Sequence, residues 1–402
     1  MNKQYKLLQI NSSANVGSTG RIAEQLGQIA INHGWNSYIA YGRYVNKSSS
    51  HLIKVGSKLD LIYHLFISRC FDKHGLGSKG ATYRFIKKIK KIKPDVIHLH
   101  NIHGYYINYR ILFEYLAKTN IPVVWTLHDC WSFTGHCAHF VTANCERWKT
   151  GCYDCPLKLH YPRSLFLDRS KQNYELKKKL FTANKKLHII TVSQWLAGIV
   201  KQSFLKEANI QVINNGIDLS VYKPFTGKRK KKFEILGVAS VWTEEKGLND
   251  FYKLNEILDH NLFEISMVGL NDQQIKKLPY GIRGIQRTNS SHELAKYYSN
   301  ADVFVNPTYA DTFPTVNIEA IACGTPVVTY KTGGSVESIT ERTGLIVETG
   351  NIEQLANAVE TIRKNGKTYY SNACRKRAIE CFNKDDRYED YLNLYKRLIV
   401  NK

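Results

Sequence analysis

No stretch of this 402-residue chain reaches the 18 or so uninterrupted apolar residues that spanning a bilayer requires, and the best run, Leu61 to Cys70, is broken by His64 and Arg69. Membrane contact is therefore expected only at the periphery. From Met1 to Asn11, Lys3 and Lys6 precede just Leu7, Leu8 and Ile10, with no small-residue cleavage site, so the cytosol is the expected compartment. Acidic residues are scarce: 34 Asp and Glu stand against 57 Lys and Arg, a formal net charge of +23. That balance favours anionic partners, whether nucleic acid, phosphorylated ligands or an acidic membrane face. Neither G-x-G-x-x-G nor a P-loop ending in G-K-[ST] is present, which argues against NAD binding and ATP hydrolysis. Repeats of solenoid length are missing too. The nine cysteines are an odd number, and in a reducing compartment they read as core residues, metal ligands or nucleophiles before disulfides.

What is present fits a soluble globular protein of two domains, with 43% apolar, 12% aromatic and 23% charged residues. Short apolar runs alternate with helical patterns: strands at Tyr5 to Ile10, Asp95 to Leu99, Val123 to Leu127 and His188 to Val192, and helices at Arg21 to Ile31, Thr82 to Ile92, Tyr109 to Lys118 and Gln194 to Lys201. The alternation breaks at Lys223 to Lys232, around Pro224, Gly227 and five consecutive basic residues. It resumes with strands at Glu234 to Ala239, Phe263 to Val268, Asp302 to Asn306, Pro326 to Tyr330 and Gly344 to Val347, with helices at Gly247 to Leu258, Thr315 to Ala322 and Asn351 to Arg363. The expected class is α/β, with two doubly wound Rossmann-like domains over residues 1–222 and 233–380. Residues 381–402 are expected to form a closing helix that can pack back on the first domain. Ligands of such sheets bind beyond the carboxyl ends of the strands, so the chemistry is expected in the loops there and in a cleft where two sets of ends face each other.

Several loops carry residues suited to that chemistry. Gly17-Ser18-Thr19-Gly20-Arg21 opens a helix, where backbone N–H groups and the helix dipole favour a phosphate, or it is simply a tight turn. Asp311 and Glu319 stand eight positions apart, one in a loop and one inside the next helix, a pair that can hold sugar and ribose hydroxyls. The amides near Thr315 and Val316 begin that helix. His128, before Asp129, ends an apolar strand; His98, His100 and His103 crowd another strand end and are expected to line an acceptor pocket. Cys137, Cys145, Cys152 and Cys155 lie in a Gly- and Trp-containing excursion over 134–156, and four thiolates suit a closed structural zinc site. Two disulfides or scattered reduced thiols are the alternatives, with Cys130, His136 and His139 as spare ligands. Arg84 to Lys93 sets Phe85, Ile86, Ile89 and Ile92 on one helical stripe among lysines. It either lies on an anionic bilayer or covers a sheet with its basic face in water.

The run from Asn306 to Glu337, P-T-x-x-D-T-F-P-x-x-x-x-E-A-x-A-C-G-T-P-V-V with a downstream G-G-x-x-E, resembles the donor-sugar site of retaining GT-B glycosyltransferases of family 4. Asn215-Gly216-Ile217-Asp218, Glu245-Lys246-Gly247 and His128-Asp129 extend the resemblance over nearly the whole chain, and it is similar to enzymes that build bacterial surface polysaccharides of the colanic-acid type. The resemblance implies that Glu319 binds the nucleotide ribose, Lys246 holds the diphosphate, and Asp311, where the family more often has Glu, touches the donor sugar. Phe313, Thr315, Val316, Gly17 and Gly20 complete the expected donor-binding set. His128 is placed near the donor sugar. The family's usual arginine five residues before the lysine is Val241 here, and Arg287 is a candidate replacement. The implied reaction moves a sugar from a nucleotide-sugar donor to a glycan or polyprenyl-linked acceptor. It needs no catalytic metal, and the chain lacks the Asp-x-Asp motif that holds one in the other major glycosyltransferase fold. Two further readings are an inactive scaffold of the same fold, given Asp311 and Val241, and a zinc-stabilised nucleic-acid-binding protein, given the charge and the cysteines; for the latter no nucleic-acid module is recognisable.

Overall fold

Strands of four to six residues, most of them buried and most followed by a helix that covers one sheet face, build two compact units. The computed structural model describes residues 4–225 and 231–401. The first unit runs to Asn214 and takes in Tyr388 onward, while the second spans Asn215 to Arg387. Lys228, Arg229 and Lys230 of the expected linker lie outside the described residues. The division falls at Asn214 and Asn215, before the lysine-rich segment, because the chain from Ile217 already belongs to the second unit. Ile217 N donates to Phe382 O (2.7 Å) and Arg375 Nη1 donates to Tyr222 O (2.7 Å).

In the first unit the order is β1 (Lys6–Asn11), α1 (Gly17–Asn32), β2 (Asn36–Tyr41), β3 (His51–Lys54), α2 (Lys58–Phe71), α3 (Lys79–Ile92), β4 (Val96–Leu99), α4 (Tyr109–Leu116), β5 (Val123–Leu127), α5 (Ser170–Phe181), β6 (Leu187–Thr191), α6 (Gln194–Val200) and β7 (Asn209–Val212). The second has β8 (Phe233–Val238), α7 (Leu248–Ile257), β9 (Phe263–Val268), α8 (Asp272–Ile275), β10 (Ile282–Ile285), α9 (Ser291–Asn300), β11 (Val303–Asn306), α10 (Thr315–Ala322), β12 (Val327–Tyr330), β13 (Gly344–Val347), α11 (Ile352–Asn365) and α12 (Lys367–Phe382). The last helix, α13 (Lys384–Val400), begins in the second unit and continues in the first.

The first sheet has strand order β3-β2-β1-β4-β5-β6-β7 and the second β10-β9-β8-β11-β12-β13, with parallel pairing throughout. Each order reverses direction once, between β1 and β4 and between β8 and β11. At such switch points the connecting loops diverge and open a crevice beyond the strand ends.

The closing helix is part of the first unit's core. Tyr388, Tyr391, Leu392 and Tyr395 are buried with Leu7, Ile22, Leu26 and Val96. Their polar tips are satisfied, with Tyr388 Oη donating to Gln25 Oε1 (2.8 Å) and Tyr391 Oη 3.1 Å from Thr126 Oγ1. In α3 the stripe of Phe85, Ile86 and Ile89 is buried in that same unit, so the basic helix is a sheet-covering helix whose lysines face water. Its apolar side is not available to a bilayer.

Candidate functional site

The donor-site motif gathers at the switch point of the second sheet. After β8, a single turn over Glu244–Lys246 ends at Gly247, whose φ of +76° and lack of a side chain matter: a Cβ there would stand 2.4 Å from Pro307 O. The loop after β8 can therefore lie directly on the loop after β11, and Tyr309 N donates to Glu245 O (2.9 Å). This contact brings Lys246 Nζ to 2.9 Å from Asp311 Oδ2 and 3.4 Å from Thr308 Oγ1. The other Asp311 oxygen accepts from Phe313 N (3.2 Å). Gly333 closes the far side of the loop; at φ +51° its missing Cβ would fall 1.9 Å from Asp311 O, and Gly334 N donates to that carbonyl (3.1 Å). Both side chains of the ion pair keep partial access to water, at 37% and 21% exposure.

The helix that follows starts without a side-chain cap, since Pro314 occupies the capping position. Thr315 and Val316 are half-buried in its first turn, where N–H groups lack intrahelical partners and suit an anion. Asn317 anchors the turn, accepting from Asn306 Nδ2 (2.8 Å) and donating to Ser335 O (3.2 Å). Glu319 lies one turn further, 4% exposed, and accepts from Tyr298 Oη (2.9 Å). The tyrosine thus orients the Glu319 carboxylate, a group that accepts several hydrogen bonds at once. Two expected donor residues are placed differently. The Phe313 ring turns inward, 3% exposed and 5.7 Å from the Phe382 ring, while its backbone N–H closes the Asp311 turn. Arg287 is exposed beyond edge strand β10, with β9 between that strand and β8, and is not brought to Lys246 and Asp311. Val241 is 66% exposed.

In the first unit, Gly17 (φ +70°) opens α1 with no side-chain cap from Val16, and a Cβ on Gly17 would meet nothing within 4 Å. Gly20 sits close under that turn, where a Cβ would stand 2.9 Å from Ser13 Oγ. His128 follows β5 and is tied to a buried chain that fixes its proton. Gln9 Nε2 donates to Ala23 O (2.8 Å), which aims Gln9 Oε1 at His100 Nε2 (3.0 Å). His100 therefore carries its proton on Nε2 and offers Nδ1 to His128 Nε2, 3.2 Å away. The hydrogen-bond network thus assigns His128 a proton on Nε2 and a lone pair on Nδ1. Burial holds His128 at about 4 and His100 well below the ordinary histidine value, so both are neutral near pH 7. The expected acceptor-lining histidines lie inside instead. His98 is fully buried, bonded to Thr126 Oγ1 (2.8 Å) and Tyr395 Oη (2.5 Å), and His103 holds Asp129 Oδ2 at 2.8 Å. Gln9 was visible in the sequence as a lone amide in an apolar strand.

The four cysteines of the excursion line one small cavity, together with His136 and Trp148. Cys152 Sγ accepts from Gly135 N (3.1 Å), and a hydrogen bond from Cys137 lowers the Cys155 thiol to about 7. Beneath them Lys177 Nζ is buried, donating to Trp131 O (2.6 Å) and Thr134 O (3.0 Å). Burial lowers Lys177 to about 7, with Cys152 and Cys137 opposing. Lysine 177 stands among Lys178 and Lys179, and nothing in the sequence marks it out. Among the described residues no group of three or more His, Cys, Asp or Glu side chains is set out as a metal's ligands. The thiols share a cavity, yet as placed they do not form a zinc ligand set.

Two sequence families divide the chain between them: Glycosyltransferase Family 4 matches residues 29–221 and Glycosyl transferases group 1 matches residues 222–380. The chain belongs to the glycosyltransferases of GT-B architecture, a Family 4 domain followed by a group 1 domain. It is 26% identical, over 98% of its length and 100% of the relative's, to WcaC of Escherichia coli K12, assigned as a colanic acid biosynthesis glycosyl transferase. To the UDP-Gal:alpha-D-GlcNAc-diphosphoundecaprenol alpha-1,3-galactosyltransferase of Escherichia coli it is 23% identical, over 50% of its length and 58% of the relative's. Its fold matches sucrose-phosphate synthase from Thermosynechococcus elongatus with a TM-score of 0.74 at 17% identity, covering 99% of this chain and 100% of that one.

Proposed function

We propose that the chain is a retaining glycosyltransferase moving a sugar from a UDP- or GDP-linked donor to a glycan or lipid-linked saccharide in surface-polysaccharide synthesis. The observation that carries this reading is the contact of Lys246 with Asp311 beside the uncapped start of α10. The two relatives named above support the pathway and the kind of donor and acceptor. In this reading the donor diphosphate takes over Lys246 and the amides of Thr315 and Val316, and Asp311, released, accepts from sugar hydroxyls. Glu319, oriented by Tyr298, accepts from the ribose. As the bond between the anomeric carbon and the diphosphate breaks, its electron pair stays on the phosphate oxygen. The acceptor hydroxyl then bonds to the same face of that carbon and gives its proton to the departing phosphate. Lys246 and the amides stabilise the growing charge, and the reading calls on no catalytic metal. We further read the four cysteines that share one small cavity as the residues that would hold a structural zinc ion, and the place of action as the cytosolic face of the membrane.

A thermal-shift panel of UDP, GDP and their sugar conjugates tests the donor assignment, since a ligand at 100 times its dissociation constant adds about 2.7 kcal/mol of stability. Stabilisation by one nucleoside diphosphate is expected, and no response at millimolar ligand would overturn the reading. Binding without any transfer or donor hydrolysis would instead favour an inactive scaffold. Elemental analysis decides the metal: about one zinc per chain is expected, and a value near zero means free thiols.

A further inference from the structure

α2 is built inside out. Its buried side holds His64 and Ser68 beside Ile67, while Leu59, Ile62, Tyr63 and Phe66 stand at positions one, four, five and eight of a single outward stripe, 77%, 63%, 61% and 54% exposed. The inward polarity is satisfied: His64 Nδ1 is 2.9 Å from Ser78 Oγ, and its Nε2 accepts from Gly75 N (3.1 Å) and Gly77 N (3.2 Å). A helix that turns its histidine and serine to the core and its aromatics outward is not matched to water.

The patch extends past the helix. Leu165 N donates to Arg69 O (2.7 Å), which sets the 159–167 loop against the end of α2, and that loop exposes Leu159, Leu165, Phe166 and Leu167. The rim is basic. Lys73 Nζ stands 5.9 Å from the Phe71 ring centre, and Lys58 and Lys79 are exposed. Between residues 54 and 93 there are eleven Lys and Arg against Asp60 and Asp72. Asp72 is buried on His136, and Asp60 lies 3.6 Å from Arg84, so little negative charge faces outward.

We propose that this face docks on an anionic phospholipid bilayer, with Leu59, Ile62, Phe66 and Phe166 entering the acyl boundary and the lysines meeting headgroup phosphates. An apolar stripe supplies insertion and the basic rim supplies attraction to negative lipid; neither alone gives firm binding, and here they are adjacent. The assignment rests on the surface alone and does not require the sugar-transfer reading, though it would bring a lipid-linked acceptor to the enzyme.

The full chain is tested by co-sedimentation with vesicles of 3:1 phosphatidylcholine and phosphatidylglycerol and with pure phosphatidylcholine. Binding to the anionic vesicles is expected at least about tenfold tighter, and the double change Ile62→Glu with Phe66→Glu is expected to remove at least about tenfold of it. Both positions are exposed, so circular dichroism should be unchanged; Phe166→Ser, in the loop, is a second variant expected to weaken binding in the same direction. Equal binding of variant and parent, or indifference to lipid charge, overturns the proposal. So does a stable dimer in light scattering that the double change dissociates, since a second copy would then own this face. The nucleoside-diphosphate thermal shift of the double variant should stay as in the parent, which keeps a failed dock distinct from a failed donor site.

Discussion

At the scale of single residues, the proposed reading makes Lys246 the cation on which donor binding depends, since Val241 carries no charge and Arg287 is exposed beyond edge strand β10. Lys246→Ala is expected to weaken nucleoside-diphosphate binding by about 1.5–3 kcal/mol, the usual worth of a hydrogen bond to a charged group. Asp311→Asn should act in the other direction on binding: it releases Lys246 from its carboxylate, so affinity for the diphosphate holds or rises while sugar turnover falls. Calorimetric titration of both variants with UDP and GDP checks the pair, and unchanged affinity in Lys246→Ala would count against its role. Asp311 could be singled out from the sequence with Glu319, because a short loop and one helix fix the spacing of those two; Lys246, 65 positions from Asp311, was found only through the family resemblance. The chain from Gln9 through His100 to His128 could not, since Gln9 and His100 are 91 positions apart and meet only through the pairing of β1 with β4. The inward turn of Phe313 was hidden for a similar reason: its ring packs against Phe382, 69 positions away in the chain.

At the scale of elements, the loop that presents Asp311 is held between two glycines. Gly333→Ala places a Cβ on Asp311 O at a left-handed φ, and is expected to cost more than about 2 kcal/mol and to abolish donor binding. Urea denaturation with a donor thermal shift checks this; Gly17→Ala, with open space around it, should cost less from crowding and is the contrast. Legibility followed burial. Central strands such as β5, with every residue buried, read as apolar runs, and Val123–Leu127 is found where the sequence puts it. Edge strands β3, β7 and β10 were missed because at most one residue in each is buried, and β2 was missed because only three of its six residues are buried and Asn36 and Ser37 open it. α2 was missed as a helix because its apolar stripe points away from the core.

At the scale of the whole molecule, the titratable burden is unevenly divided. Twelve of fourteen histidines lie in the first unit. Burial holds His64 at about 3 and His128 at about 4, and pushes His74, His98 and His100 well below the ordinary value. The unfolded chain takes up these protons near pH 6.5 and the folded one only far lower. Their stabilising contribution is therefore complete above about pH 6.5 and is lost as pH falls toward 4. Urea midpoints read by tryptophan fluorescence are expected to fall between pH 7 and 5, before ordinary carboxylates titrate; a flat profile over that window would refute it. Five of six tryptophans are in the first unit, so the signal reports mainly there. That unit also has a peculiar assembly order. Its core needs Tyr388, Tyr391, Leu392 and Tyr395, which leave the ribosome only after all of residues 215–387. The N-terminal half thus waits, incompletely sealed, while the C-terminal half is made, and during synthesis the later unit can finish folding before the earlier one.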